Sequence, residues 1–202
     1  LNTGSITPEH IKAILPNLPL GDDIEYRFFM RAAKAETNAL KQAVKNFDKK
    51  IPTCTLGFGI EFPSDRMWKY LNKGTIMSEV IETLEFCMQT GFKVNANVIL
   101  GWNNLTDQDL LDLEGFMDSL SGHTVTTLQL RWLFAHPYTK IYETYDGVED
   151  TIRLGPFNCG FNVKVDAEQK ELNLAAAKII KEKCDLKHIK LEGYNNLRKG
   201  QL

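Results

Sequence analysis

The feature that most constrains the fold is the regular alternation of strand-like and helix-like segments along the chain. Short apolar runs typical of buried strands alternate with longer segments whose apolar residues recur at helical spacing. Short connections between such segments are typical of a parallel sheet built through right-handed crossovers. The predicted strands cover residues 24–30, 53–60, 93–100, 126–134 and 188–191. The predicted helices cover residues 8–15, 35–47, 64–71, 78–90, 107–120 and 166–184. Segment 136–161, with scattered glycine and proline, is predicted to be irregular.

Composition narrows the class of protein further. The chain has 202 residues, of which 43% are hydrophobic, and this is enough to bury a sizeable core. The net charge is −2 with acids and bases interspersed, which argues against a nucleic-acid binder that relies on phosphate contacts. No apolar run reaches the ~20 residues that a transmembrane helix needs, and the start lacks a signal-peptide pattern. We therefore predict a cytoplasmic α/β protein with no membrane partner.

The spacing of the four cysteines bears on metal chemistry. Cys54, Cys87, Cys159 and Cys184 are too far apart in sequence to form a CxxC or CxxxCxxC element, so no iron–sulfur or zinc motif is predicted. Cys54 and Cys87 lie among apolar residues. We interpret them as buried free thiols of a reducing compartment.

Polar side chains at the carboxyl ends of the predicted strands are the candidate site, because a parallel barrel carries its functional groups there. Arg31 follows the first strand, and Glu61 follows two glycines that permit a ligand to approach the backbone closely. The Glu61 carboxylate could accept two hydroxyl hydrogen bonds, as from a ribose, and Lys73 could reach a ligand carboxylate. Gln129 and Arg131 share one face of a strand. The alternatives are an Arg31–Glu61 salt bridge, a solvated Lys73, and an outward polar face at Gln129 and Arg131.

Four stretches, in order and with matching spacing, resemble the C-terminal part of a radical S-adenosylmethionine (SAM) enzyme domain. They are FFMRA (28–32), TLGFGIEFPSDRMWKYLNKGT (55–75), GFKVNANVILGWNNLTDQD (91–109) and HPYTKIYE (136–143). The resemblance covers roughly residues 24–143 and is strongest to the branch with cobalamin-dependent and coproporphyrinogen-oxidase-like members. It implies a partial TIM-like barrel, the second half of a (β/α)6 barrel. Strands three to six would lie in residues 1–145, and 146–202 would form an irregular segment, a long helix and a tail packed on the barrel.

The resemblance also implies roles for individual residues. Glu61 resembles the residue that contacts the SAM ribose, and Lys73 resembles a basic residue near the methionine carboxylate. Arg31 resembles a strand-end arginine near cofactor or substrate. The strand that lies against adenine in the family corresponds to a segment that includes Val98, Leu100 and Gly101. The candidates on the substrate side are Gln129, Arg131 and His136.

The departures from the family pattern concern activity. The CxxxCxxC motif that ligates the 4Fe–4S cluster and the GGE-like segment that binds the methionine amine are absent from the sequence. SAM and the cluster are therefore expected for a full-length oxidoreductase or transferase, and this chain alone is predicted to be inactive. The chain begins with Leu1, which favours a fragment whose partner is the N-terminal half of the same polypeptide. A bared strand edge would then favour self-association.

Two alternatives of different classes remain at this point. One is a non-enzymatic α/β binding or scaffold domain derived from the barrel. The other is an aldolase-like lyase that uses Lys73 for a Schiff base. A Schiff-base lysine must be desolvated, and the position of Lys73 beside Gly74 in a predicted loop argues against the lyase.

Overall fold

A computed structural model describes the chain at residues 5–21, 24–47, 51–121, 125–135, 142–143, 148–155 and 158–194, with backbone only for 148–155 and 158–162. The helices are α1 (Pro8–Ile14), α2 (Lys34–Lys45), α3 (Asp65–Tyr70), α4 (Met77–Thr90), α5 (Asp107–Ser119) and α6 (Ala167–Leu186), and a 3-10 turn covers Leu15–Asn17. The strands are β1 (Tyr26–Met30), β2 (Cys54–Glu61), β3 (Lys93–Leu100), β4 (Thr127–Trp132), β5 (Phe134–Ala135), β6 (Val148–Gly155), β7 (Asn158–Val163) and β8 (Lys190–Glu192).

Local sequence accounts for where several helices begin and end. The Thr106 side chain accepts from the backbone N–H of Asp109, and the Asp109 carboxylate accepts from the backbone of Thr106, which forms a capping box at the start of α5. Helix α1 begins after Thr7 with Pro8 in its first turn, where a missing N–H costs nothing. Helix α4 ends at Gly91, whose φ of 83° suits glycine.

The main sheet has five parallel strands in the order β1-β2-β3-β4-β8. Side chains alternate along each strand, and one face of the sheet is buried in a continuous core with α2, α4, α5 and α6. The opposite face lines a concave cavity of about 1390 Å³. Strands in sequence order with their crossover helices on one face form the wall of a barrel, whereas a doubly wound sheet is covered on both faces. The fold is therefore α/β with a mostly parallel sheet, as predicted, and it is compatible with a partial barrel.

The C-terminal third differs from the prediction. Segment 136–161 is not irregular throughout, because it contains β6 and most of β7, which join β5 in a three-stranded antiparallel sheet in the order β5-β7-β6. Two of the glycines that suggested irregularity lie in these strands. Gly155 is the last residue of β6, and Gly160 of β7 pairs with Ile152 of β6. The predicted strand 126–134 is also divided, since Leu133 donates its N–H to the Leu100 carbonyl (2.7 Å) and separates β4 from β5.

The end of the chain contributes a strand to the main sheet in addition to packing on it. Strand β8 pairs with β4 through Lys190 opposite Thr127 and Glu192 opposite Gln129, so it forms the fifth strand of the main sheet. At the other edge, the N–H of Ile6 donates to the Phe29 carbonyl (2.8 Å) and covers part of β1. Self-association through the remaining edge stays a prediction.

Burial determines the protonation state of the described cysteines. Cys54 and Cys87 are buried free thiols, as expected, and Cys184 is one as well. Desolvation raises the pKa of Cys54 and Cys87 to about 12 and that of Cys184 to about 11, so these thiols are protonated at neutral pH. The side chain of Cys159 lies outside the described residues. Across the described helices, none has the length and apolar character needed to cross a membrane.

Candidate functional site

Three predicted site residues meet at the carboxyl ends of β1 and β2. The Arg31 guanidinium donates to the backbone carbonyl of Lys73. Lys73 Nζ donates to the Gly59 carbonyl (2.7 Å) and to Glu61 Oε1 (2.9 Å). The ion pair is partly buried, with 19% of the Lys73 side chain and 25% of the Glu61 side chain exposed. Glu61 thus pairs with Lys73 and not with Arg31, and Lys73 is not a solvated loop lysine.

The backbone at Glu61 is unusual for a residue with a side chain. Its φ is 63°, and the register between β2 and β3 shifts there, with Gly59 opposite Asn97 and Glu61 opposite Val98. This irregularity turns the Glu61 side chain back toward Gly59 and Lys73. A non-glycine residue at positive φ next to a bulge is typical of functional sites. Oε2 of Glu61 accepts no hydrogen bond from the described residues, so one carboxylate oxygen remains for a ligand.

The space beside the two glycines of β2 is occupied by other side chains of this chain. A Cβ at Gly59 would lie 2.7 Å from Glu61 Oε1 and 3.4 Å from Lys73 Nζ, so a side chain there would displace the ion pair from its present position. A Cβ at Gly57 would lie 2.7 Å from the ring of Phe29, which fills the space that the sequence assigned to a ligand. Of the two positions, only Gly59 borders the candidate site.

The predicted adenine wall is oriented differently from the expectation. Val98 and Leu100 are fully buried on the helical side of β3, so a ligand on the open face cannot reach their side chains. Half-buried Ile99 lies in the same aligned segment, although it was not named among the site residues, and strand alternation places it on the opposite face. The N–H of Gly101 donates to Asn173 Oδ1 (2.6 Å), and the φ of Gly101 is 95°.

The substrate-side candidates lie on the open face of β4. Arg131 is exposed and donates to Gln129 Oε1 (3.2 Å), and Gln129 Nε2 donates to Glu192 Oε2 (3.0 Å). Glu192 was missed because nothing local in the sequence places β8 beside β4. His136 lies outside the described residues. Gln129 and Arg131 therefore lie on the open face, two strands away from the Lys73–Glu61 pair.

The centre of the open face is lined by neutral polar groups. Asn95 and Asn97 stand on this face of β3, and their buried Oδ1 atoms have no hydrogen-bond partner in the described part of the chain. Thr127 lies beside Asn95 in the neighbouring strand. Buried amide oxygens without a partner are rare in folded proteins, so this part of the open face is unusually polar.

The amino end of this face carries a carboxylate with three donors. Glu25 accepts from Arg27 (3.1 Å), Thr55 (3.0 Å) and Lys93 (3.2 Å). The hydrogen bond from Arg27, together with those from Thr55 and Lys93, lowers the pKa of Glu25 from 4.5 to about 2. This end of the sheet is thereby cross-linked across β1, β2 and β3.

We expect Glu25 to contribute to the pH dependence of stability. Because its folded pKa is depressed, its contribution is present above pH 4.5 and is lost as pH falls toward 2. Glu25→Gln should flatten the free energy of unfolding against pH within this window, as measured by urea denaturation. The difference should shrink in 1 M salt, because the group is exposed and screened. Parallel pH profiles for the wild type and Glu25→Gln would contradict the assignment.

A buried carboxylate holds the loops of the carboxyl edge together. Asp109 is fully buried and accepts from Ser64 Oγ (2.5 Å), the backbone N–H of Thr106 (2.8 Å) and Arg66 Nε (3.0 Å). Burial by itself raises the pKa of Asp109, but the hydrogen bonds from Arg66, Ser64 and Thr106 outweigh it and lower the pKa overall. This network joins the starts of α3 and α5 next to the candidate site.

The candidate site offers hydrogen-bonding groups at the carboxyl edge of the sheet. One oxygen of Glu61 is left to accept a hydrogen bond from a ligand, whereas the space beside Gly59 is filled by the Lys73–Glu61 pair. The described residues include no group of three or more cysteine, histidine or acidic side chains placed to hold a metal. The fold and site define an α/β protein with a one-sided parallel sheet and a polar carboxyl edge. Comparison of the chain with protein-family models and with curated proteins finds no match.

Proposed function

We propose that the chain forms part of a SAM and substrate pocket in a radical SAM oxidoreductase or transferase. The single observation that carries this proposal is the partly buried Lys73–Glu61 pair at the carboxyl end of β2, next to Gly59 and the open polar face. The open face supports it, because a barrel wall whose inner face is polar is suited to enclosing a ligand. The four-stretch sequence resemblance supplies the identity of the ligand.

Each residue has a specific binding task in this proposal. Glu61 Oε2 accepts hydrogen bonds from the ribose hydroxyls. Lys73 donates two of its three protons to Gly59 and Glu61 and has a third for the methionine carboxylate. Ile99 offers an apolar surface to adenine. Arg31 fixes the loop of Lys73 through the Lys73 carbonyl and so positions the ammonium group.

The 4Fe–4S cluster is assigned to a partner segment, the N-terminal half of the same polypeptide. Cys54, Cys87 and Cys184 do not suit it, because they are buried and their raised pKa values disfavour the thiolate that iron requires. When bound, the cluster supplies the electron that cleaves SAM. The residues of this chain bind SAM, orient it and exclude water.

Substitution of Glu61 tests the pocket. In the complete protein, Glu61→Gln should weaken SAM binding by ~1–1.5 kcal/mol, roughly 5- to 10-fold, because a neutral amide oxygen replaces a charged acceptor. Calorimetric titration with SAM measures the change. Lys69→Met, on the outside of nearby α3, is the matched control and should bind like the wild type. Unchanged affinity in Glu61→Gln would mean that Glu61 serves only as the ion-pair partner of Lys73.

A non-enzymatic α/β binding or scaffold domain is the second candidate. It is favoured by one observation, since the Lys73–Glu61 pair compensates both charges without a ligand. A complete protein that shows no saturable SAM binding, and no SAM cleavage under reducing conditions, would favour this candidate. The lyase is disfavoured, because Lys73 Nζ, which would be the nucleophile, is already engaged by the Gly59 carbonyl and the Glu61 carboxylate.

A further inference from the structure

The loop between β3 and α5 (residues 101–106), here the β3–α5 loop, is held by side chains of the C-terminal helix α6. The N–H groups of Gly101 and Trp102 both donate to Asn173 Oδ1 (2.6 and 3.2 Å), and Asn173 Nδ2 donates back to the Trp102 carbonyl (2.8 Å). The side-chain amide thus pairs with the loop backbone in both directions, as a neighbouring strand would.

A second amide repeats this arrangement one turn earlier in α6. The N–H of Leu105 donates to Gln169 Oε1 (2.8 Å), and Gln169 Nε2 donates to the Leu105 carbonyl (3.1 Å). Asn103 contacts the segment that precedes α6 as well, because the N–H of Asp166 donates to its Oδ1 (3.3 Å). Both ends of the loop are therefore fixed by residues that lie more than sixty positions later in the chain.

Asn173 is a fully buried polar residue in the middle of a helix, and it makes four hydrogen bonds. The fourth runs from Nδ2 to the Gln169 carbonyl (2.7 Å). Its oxygen accepts two bonds and its nitrogen donates two, which saturates the amide. A leucine of similar volume would pack in the core but leave the loop backbone unpaired, so the polar group serves the loop rather than the helix.

The contacts continue from the loop to the wall of the candidate site. Trp102, whose backbone Asn173 holds, donates its indole Nε1–H to the carbonyl of Ile99 (2.7 Å). Ile99 is the apolar residue on the open face of β3, and the adjacent Val98 pairs with Glu61 across the bulge. A direct path of hydrogen bonds therefore joins α6 to the strand that faces Glu61.

We propose that Asn173 and Gln169 are positioning residues that set the shape of the SAM pocket from the C-terminal helix. This inference rests on the proposed function for the identity of the ligand. The two amides preorganise the β3–α5 loop, so that binding does not have to order it. The C-terminal region is then required for affinity although it does not touch the ligand.

The test uses the complete protein and compares Asn173→Leu, Gln169→Met and the control Lys178→Gln, which lies on the exposed side of α6. Hydrogen exchange should accelerate by about tenfold or more at Gly101 and Trp102 in Asn173→Leu, and at Leu105 in Gln169→Met, because each loses its acceptor. Affinity for SAM by calorimetry should fall about three- to tenfold in both variants, since the loop must then be ordered on binding. Lys178→Gln should change neither quantity.

The outcomes separate this inference from the proposed function. Unchanged loop exchange, or faster exchange with unchanged SAM affinity, overturns the positioning role. If the wild type fails to bind SAM while both variants loosen the loop, the positioning of the loop is upheld and the proposed function is overturned. Should Asn173→Leu fail to fold, Gln169→Met decides the question, because Gln169 is only half-buried in the first turn of α6.

Discussion

Replacement of Asp109 with alanine is expected to lower the free energy of unfolding by about 2–4 kcal/mol, because it leaves two buried hydrogen-bond donors without an acceptor. The carboxylate is fully buried and accepts hydrogen bonds from Ser64, Arg66 and Thr106. Its loss leaves the Ser64 hydroxyl and the Thr106 N–H without their acceptor and opens the capping box of α5. Urea denaturation of both proteins at neutral pH measures the difference.

Asp107→Ala is the matched control for this substitution. Asp107 lies in the same first turn of α5 but is exposed, so its loss should cost only ~0.3–1 kcal/mol through the helix dipole. Similar losses in the two variants would mean that the Asp109 network contributes no more than an exposed charge.

The contribution of Asp109 to the free energy of unfolding should also depend on pH in the acid range. Because its folded pKa is lowered, its contribution to stability is present above the ordinary value of 3.8 and is lost as pH falls through the lowered pKa. The difference in unfolding free energy between the wild type and Asp109→Ala should therefore narrow below pH 3.8. A constant difference down to pH 2 would contradict this assignment of charge.

Gly193→Ala is expected to lower the free energy of unfolding by about 3–4 kcal/mol, from the sum of a left-handed backbone and a steric clash. The φ of Gly193 is 88°, and a Cβ there would lie 2.1 Å from the Leu130 carbonyl oxygen. That oxygen belongs to the backbone of β4, so it cannot rotate away as a side chain could. The clash should separate β8 from β4 at the edge of the main sheet.

Gly91→Ala is the control for this substitution, because it carries the conformational cost of a left-handed backbone without the steric clash. Gly91 has a similar φ of 83°, but no described atom lies within 4 Å of the position of its Cβ. Its substitution should cost about 1 kcal/mol, which is the conformational cost alone. Thermal or urea denaturation of the two variants gives the difference. Equal losses would show that the contact between Gly193 and Leu130 is not tight in solution.

The part of the candidate site that could be predicted follows from short-range patterns. Short apolar runs indicated β1, β2 and β3, and the parallel arrangement then placed Arg31 and Glu61 at one edge. The face of β3 on which Ile99 lies follows from the alternation of side chains along a strand. The partner of Glu61 could not be chosen from sequence, because Arg31 and Lys73 are both cations near the same edge, and only the bulge after Gly59 directs Glu61 to Lys73.

The sequence by itself determined the helices, the parallel strands and the polar carboxyl edge. These features follow from propensity, capping and apolar periodicity, which act over a few residues. Only the tertiary structure decided the antiparallel sheet of β5–β7, the place of β8 beside β4, and the hold of Asn173 on the β3–α5 loop. These features join residues far apart in the chain. They depend on register and packing of whole elements, which no local pattern encodes.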